Sequence, residues 1–141
     1  MRNRSPAGSL GDVFDDLSRY RKELGPIPTR ALPDGGRLAR LDIGGEQIFG
    51  VSAHGQKVSI NASNFNFGHA EGDALRQAFN KGISAERAVI YVDRELCQFC
   101  RRVDGLPAAM QDLGLQELIV HDPVKSWRIV PGRTAVEIPR P

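Results

Sequence analysis

Leu38-Ala39-Arg40-Leu41-Asp42-Ile43 and Gln47-Ile48-Phe49-Gly50-Val51 flank Gly44-Gly45. Two apolar runs separated by a glycine pair are a strong signal for a β-hairpin with a two-residue turn. Lys57-Val58-Ser59-Ile60 extends or augments its second strand, and the polar stretch 61–68 reads as a loop. Downstream, Ala70, Ala74, Leu75, Ala78 and Phe79 give 69–80 the apolar face of a helix, with Gly82 as its C-terminal cap. Ala88-Val89-Ile90-Tyr91-Val92 is short and nearly all apolar, as in a central strand covered on both faces. A second helix is predicted over 98–113, weakened at Gly105-Leu106-Pro107, where a break or kink is expected. Strands over 115–120 and 127–130 close the domain. The turn between them is too short for a crossover helix, so these last two strands run antiparallel.

Upstream of the hairpin, Leu10, Val13, Phe14, Leu17, Tyr20 and Leu24 recur at steps of three and four, so 9–24 reads as an amphipathic helix capped by Ser9. Gly25-Pro26 stops it, and 25–36 form an irregular connector. The domain reading is therefore 1–36 as an N-terminal helix and linker to a missing upstream portion, and 37–141 as the functional domain. No stretch approaches the roughly 20 apolar residues needed to cross a bilayer, and the opening residues lack a secretory signal's apolar run, so no membrane partner is expected. A net charge of +2 is too small to identify a nucleic-acid partner by itself. Aromatic residues make up only 6%, so the core must be built chiefly from Leu, Ile, Val and Ala.

Chemistry concentrates in His69-Ala70-Glu71 and Cys97-Gln98-Phe99-Cys100. Both segments are predicted to begin helices that follow β elements, so two neighbouring helix N-termini can present their side chains to one point. A Cys-x-x-Cys places two thiolates on one turn, and the positive end of a helix favours their ionised form. A disulfide over so small a loop would constrain little chain entropy, which favours metal or redox chemistry for these cysteines. One imidazole and two thiolates leave the fourth tetrahedral position of zinc open, the catalytic arrangement. Zinc lowers the pKa of bound water from about 15.7 to about 7, giving a hydroxide nucleophile at neutral pH. Glu71, two residues from His69, is placed to act as the general acid/base without becoming a ligand.

The arrangement H-x-E with P-C-x-x-C is the pattern of zinc nucleobase deaminases. Here Leu96 stands where that pattern has proline, which loses the preset φ but no ligand. Two other readings stay open. A thioredoxin-like redox pair would leave His69-x-Glu71 unexplained, and a structural four-ligand zinc site would have to recruit Glu71, His54 or His121. His54 and His121 sit beside predicted turns and read as surface or turn histidines. A non-catalytic, zinc-stabilised binding module is the corresponding alternative function.

These motifs, in the order hairpin, His-Glu helix, strand, Cys-Cys helix and closing strands, resemble the cytidine deaminase-like superfamily over about residues 37–131. Phe49-Gly50-Val51-Ser52-Ala53-His54-Gly55-Gln56, Gly68-His69-Ala70-Glu71-Gly72-Asp73-Ala74 and Tyr91-Val92-Asp93-Arg94-Glu95-Leu96-Cys97 look like bacterial polymorphic-toxin deaminases. Among those, they look most like the single-strand DNA cytosine deaminase toxins of the SsdA type. The resemblance implies an α/β three-layer sandwich, with a mixed five-stranded sheet flanked by helices. It implies a zinc cofactor held by His69, Cys97 and Cys100, and hydrolysis of cytosine to uracil in single-stranded DNA with Glu71 as proton shuttle. RNA, double-stranded DNA and free nucleoside are the alternative substrates. It further implies a secreted effector delivered into the cytoplasm of a target bacterial cell, neutralised by a cognate immunity protein and acting as a monomer. Substrate contacts carried over by position are the backbone at Ala70 and a loop asparagine, Asn61 ahead of Asn64 and Asn66. Phe67, directly before Gly68-His69, is placed to wall the pocket. Phe65 and Trp127 are candidates to stack a base, with core cover as their simpler role. Arg101 and Arg102 are candidates to meet a phosphate.

Overall fold

The computed structural model describes residues 9–29, 32–52, 69–98 and 100–141. Leu10–Leu24 forms helix α1, with the Ser9 hydroxyl accepting from the Asp12 amide at 3.0 Å and Gly25 ending it at a φ of 87°. The hairpin is present as strands β1 (Leu38–Ile43) and β2 (Glu46–Val51), paired antiparallel with Leu38 opposite Val51. Gly44 and Gly45 take φ values of 56° and 79°, as a primed two-residue turn requires. Helix α2 (Ala70–Asn80) ends at Gly82, whose amide donates to the Phe79 carbonyl while that of Ile83 reaches back to Ala78. This is the paired closure that a left-handed glycine permits.

Strand β3 (Arg87–Val92) runs antiparallel to β1 and parallel to the later strand β4 (Glu117–His121). Strand β5 (Ser126–Ile129) returns antiparallel beside β4, as the short turn predicted, and a further strand β6 (Val136–Ile138) pairs antiparallel with β5. The sheet is therefore six-stranded in the order β2-β1-β3-β4-β5-β6, one strand more than expected. Val136-Glu137-Ile138 is too short for periodicity to register, and Val136 and Glu137 are exposed at the sheet's edge.

The second large correction concerns the helix predicted over 98–113. Only Leu106–Ala109 is α-helical (α3), followed by a single 3-10 turn at Met110–Leu113. Pro107 has no N–H to give to a helix interior but is tolerated in the first turn, so the helix can begin only here. The cysteine segment before it is a run of turns, in which the Cys100 amide donates to the Cys97 carbonyl at 3.1 Å and that of Leu106 to Cys100 at 3.0 Å. Cys97 and Cys100 thus do not lie at a helix N-terminus, and the helix dipole is not what acts on them.

The two faces of the sheet are covered differently. Helices α2 and α3 bury Ala70, Ala74, Leu75, Leu106 and Met110 against Leu41, Ile90, Val92, Leu118 and Ile129 in the main core. Full burial of one such aliphatic side chain contributes about 1.5–3 kcal/mol. On the opposite face, α1 packs a smaller cluster around Leu17, Ile27 and Leu38. There Tyr20 stacks on Phe49 with ring centroids 4.2 Å apart, and Arg21 bridges Asp93 at 2.6 Å and Asp34 at 2.7 Å. Helices on both sides of one mixed sheet make the three layers that the sequence led us to expect.

Candidate active site

Helix α2 is the element that carries the first motif, and its seating against β2 is unusually tight. At Gly50 a methyl group would collide with the Ala70 carbonyl and lie 2.6 Å from the Ala74 amide nitrogen, so glycine is what lets helix and strand approach. Strand β2 is an edge strand, and α2 also occupies part of that edge. The Val51 amide donates to Asp73 Oδ2 at 3.0 Å, and Gln77 Nε2 donates to the Phe49 carbonyl at 2.8 Å. Unpaired edge groups are thereby satisfied by the helix. His69 sits at the N-cap with extended backbone, its carbonyl accepting from Asp73, and Ala70 and Glu71 follow at full burial.

The cysteine turn is held from the other side. The Leu96 amide donates to Asp122 Oδ2 at 2.9 Å, and the Leu96 side chain lies in the main core. A proline at this position, as in the nucleobase-deaminase pattern, could not make that hydrogen bond. Here a buried carboxylate and a buried leucine fix the entry to the turn instead. Asp122 also accepts from the Val124 amide at 2.8 Å, the Lys125 amide at 2.6 Å and the Trp127 indole at 3.2 Å. Farther along, the Ala135 amide donates to the Arg101 carbonyl at 2.9 Å, so the segment after β5 braces the turn.

These two supports bring His69, Cys97 and Cys100 together. Their ligand atoms all lie within 4.8 Å of one another, in a group able to hold a metal ion, and His69 Nδ1 is 3.2 Å from Cys100 Sγ. The two cysteines form no disulfide. A hydrogen bond with Cys97 and burial hold the Cys100 thiol well above its ordinary pKa. Glu71 is fully buried, and neither of its carboxylate oxygens has a hydrogen-bond partner among the described residues. Burial pushes its carboxyl up, and the Arg37 guanidinium, with Nη1 3.8 Å from Oε2, pulls against this. A buried carboxylate with both oxygens unmatched is costly in a folded core and is typical of sites whose ligand completes them.

The other candidates fall differently. Ala70 is buried at the start of α2, directly between His69 and Glu71. Asn61, Asn64, Asn66, Phe65, Phe67 and His54 lie outside the described residues, as does the proposed extension of β2 over 57–60. Trp127 does not offer an open stacking face. It is 7% exposed, its indole N–H is committed to Asp122, and the Arg101 guanidinium covers its ring at 4.8 Å. Core cover is its role here, and Arg101 is its lid. Arg102 is an exposed side chain 3.6 Å from Asp104. His121 is a buried residue, not a surface one. It stacks on Tyr91 and shares a 2.7 Å hydrogen bond with Ser126 Oγ, and it lies outside the ligand group.

Two contributors escaped the sequence reading. Asp122 carried a usable signal, because His121-Asp122-Pro123 opens a turn and aspartate commonly accepts from amides two and three residues on. Arg37 carried none. It precedes β1 and reaches Glu71 only through the tertiary fold.

Fold and site together define a three-layer α/β domain with a His/Cys/Cys cluster, able to hold a metal, beside a buried, unmatched glutamate. The chain matches the MafB19-like deaminase family over residues 14–131 and belongs to that family. No curated protein and no solved structure matches it.

Proposed function

We propose that this domain is a zinc-dependent deaminase that converts cytosine to uracil in single-stranded DNA. The observation that carries the reading is the convergence of His69, Cys97 and Cys100 beside the buried Glu71 in a member of a deaminase family. The donor set suits zinc. Bond lengths of about 2.0–2.1 Å to nitrogen and 2.3 Å to sulfur, at tetrahedral angles, separate neighbouring donors by about 3.5–3.8 Å. The 3.2 Å between His69 Nδ1 and Cys100 Sγ and the 4.8 Å outer limit of the group bracket that value. Three ligands of one nitrogen and two sulfurs match a catalytic rather than a closed structural site.

Bound zinc would supply an acidified water at neutral pH. Glu71 takes up a proton from that water and returns it to the ring nitrogen beside the carbon that bears the amine. The oxygen of that water would bond to the carbon that bears the amine; as the carbon–nitrogen bond breaks and that oxygen becomes the carbonyl, its remaining proton passes by way of Glu71 to the amine, which leaves as ammonia. Burial raises the Glu71 carboxyl above its ordinary value, the direction that favours a group which must both accept and donate a proton. A substrate already unpaired avoids the few kcal/mol needed to extract a base from a duplex, which suits a chain of net charge +2. Among the described residues no helix is long and apolar enough to cross a membrane. The resemblance of the motifs to polymorphic-toxin deaminases supports a wider role for the domain. It would be the toxic end of a secreted effector, delivered into a competing bacterial cell, monomeric and blocked by a cognate immunity protein.

The test is uracil formation by purified protein on single-stranded DNA, duplex DNA, RNA and free cytidine. Single-stranded DNA should be converted fastest. Glu71→Ala should retain zinc and fold while losing at least about 10²–10⁴-fold in rate. Unchanged uracil formation in that variant would remove the mechanism, and conversion confined to RNA or cytidine would remove the substrate.

A further inference from the structure

Arg37 belongs to neither motif, yet its guanidinium is turned into the site. Its backbone is pinned by Ser52, whose hydroxyl accepts from the Arg37 amide at 2.8 Å and whose own amide donates to the Arg37 carbonyl at 3.1 Å. The root of the side chain is thus fixed at the end of the hairpin, beside α2. Its Nη1 is buried and has no hydrogen-bond partner among the described residues. Glu71 Oε2, at 3.8 Å, lies beyond the roughly 2.7–3.2 Å of an N–H···O bond. Arg37, its side chain 26% exposed, and Glu71 therefore face each other as an ion pair in which neither Nη1 nor Oε2 is hydrogen-bonded. Leaving a charged donor buried and unmatched is expensive, so such a group is retained where a ligand supplies the acceptor.

We propose that Arg37 is a specificity-determining residue that donates from Nη1 to the ring carbonyl of the pyrimidine substrate. The inference rests on the cytosine reading above. Deamination requires Glu71 beside the ring nitrogen next to the carbon that bears the amine. In cytosine, the carbon on the other side of that nitrogen carries the exocyclic oxygen. A base seated on Glu71 by its ring nitrogen therefore turns a carbonyl toward the groups flanking Glu71, and beside the Ala70 backbone the charged donor among them is Arg37 Nη1, 3.8 Å from Oε2. A phosphate would also accept from a guanidinium, but the sugar and the ring separate it from the nitrogen that Glu71 must touch. In adenine the corresponding carbon bears only hydrogen, so adenine would leave Arg37 unmatched. A site that must hydrogen-bond a substrate group rejects an analogue lacking it far more strongly than an apolar pocket can.

The experiment compares wild-type protein with Arg37→Gln and Arg37→Lys on two oligonucleotides, one with a single cytosine and one with 2-thiocytosine in its place. Sulfur is a much weaker acceptor than the oxygen it replaces. On cytosine, kcat/KM should fall about 10- to 100-fold in Arg37→Gln, the loss typical of removing a charged hydrogen bond. Arg37→Lys should recover part of that loss. On 2-thiocytosine the wild type should be slower, and the penalty of Arg37→Gln should shrink to less than about threefold. Zinc content and thermal unfolding, measured on each variant, show that the site is intact. Should Arg37→Gln fail to fold, Arg37→Lys carries the same comparison. An equal penalty on both oligonucleotides, as a phosphate contact or a purely structural role would give, overturns the proposal, and so does no penalty on cytosine. A wild type inert on cytosine in DNA, RNA and free nucleoside would instead sink the substrate reading, and would do so before any variant is made.

Discussion

Replacing Asp122 by alanine tests how the cysteine turn is held. The residue is 1% exposed, and its carboxylate accepts from four N–H groups. Two of these, on Val124 and Lys125, belong to exposed residues, so they can turn to water when the acceptor is lost. The Leu96 amide and the Trp127 indole belong to buried residues and cannot. Each buried donor left unmatched costs about 1–3 kcal/mol, which puts the variant about 3–5 kcal/mol below wild type once the lost turn bonds are included. A domain of this size has about 5–15 kcal/mol in all, so Asp122→Ala should still fold, with a melting temperature lower by about 10–15 °C. Because Leu96 immediately precedes Cys97, zinc affinity should fall as well.

The pH dependence follows from the same group. Burial raises the Asp122 carboxyl, but the hydrogen bonds from Leu96, Lys125, Val124 and Trp127 outweigh it, and the net direction is down. A group with its folded pKa below the unfolded value of about 3.9 contributes stability that is complete above that value and lost as pH falls through the folded pKa. The melting-temperature gap between wild type and Asp122→Ala should accordingly be full at pH 7 and narrow below about pH 4. Thermal unfolding by circular dichroism, with zinc content measured alongside, reads both effects. A variant melting within about 2 °C of wild type at pH 7 would refute the reasoning.

Gly50→Ala should cost about 1–3 kcal/mol through overpacking against α2. Deaminase activity should fall further than stability does, because the displaced helix carries His69 and Glu71; activity and melting temperature measured on one preparation separate the two. Leu96→Pro, which moves the chain toward the general nucleobase-deaminase pattern, should destabilise by about 3 kcal/mol or more, since it deletes both the N–H donated to Asp122 and a leucine side chain packed in the main core. In an Asp122→Ala background only the part owed to the N–H should disappear, the lost leucine packing remaining. Removing zinc with a chelator should abolish uracil formation and lower the melting temperature without unfolding the domain, whose main core includes Cys100 but is built chiefly from aliphatic side chains. Added zinc should restore both; complete loss of far-ultraviolet circular dichroism on chelation would contradict this.

Much of this protein is local and was therefore legible in one dimension. The Gly44-Gly45 turn, the Ser9 cap, the Gly82 closure and the 3.6-residue periodicity of α1 and α2 depend on residues a few positions apart. The grouping of His69, Cys97 and Cys100 as candidate ligands was likewise legible, because the residue types and spacings restrict what they can do. What failed was decided at longer range. The cysteine segment remains a run of turns because Pro107 delays the helix and Asp122, in the turn after β4, secures its entry. Trp127 is closed by Arg101, and β6 exists only because β5 offers it an edge. The chain alone therefore determined the hairpin, the helices α1 and α2 and the candidate ligands. Only the tertiary structure decided that Arg37 faces Glu71 and that Asp122 braces Leu96. A buried charge is positioned by whatever surrounds it in space, and that surrounding is assembled from segments far apart in sequence.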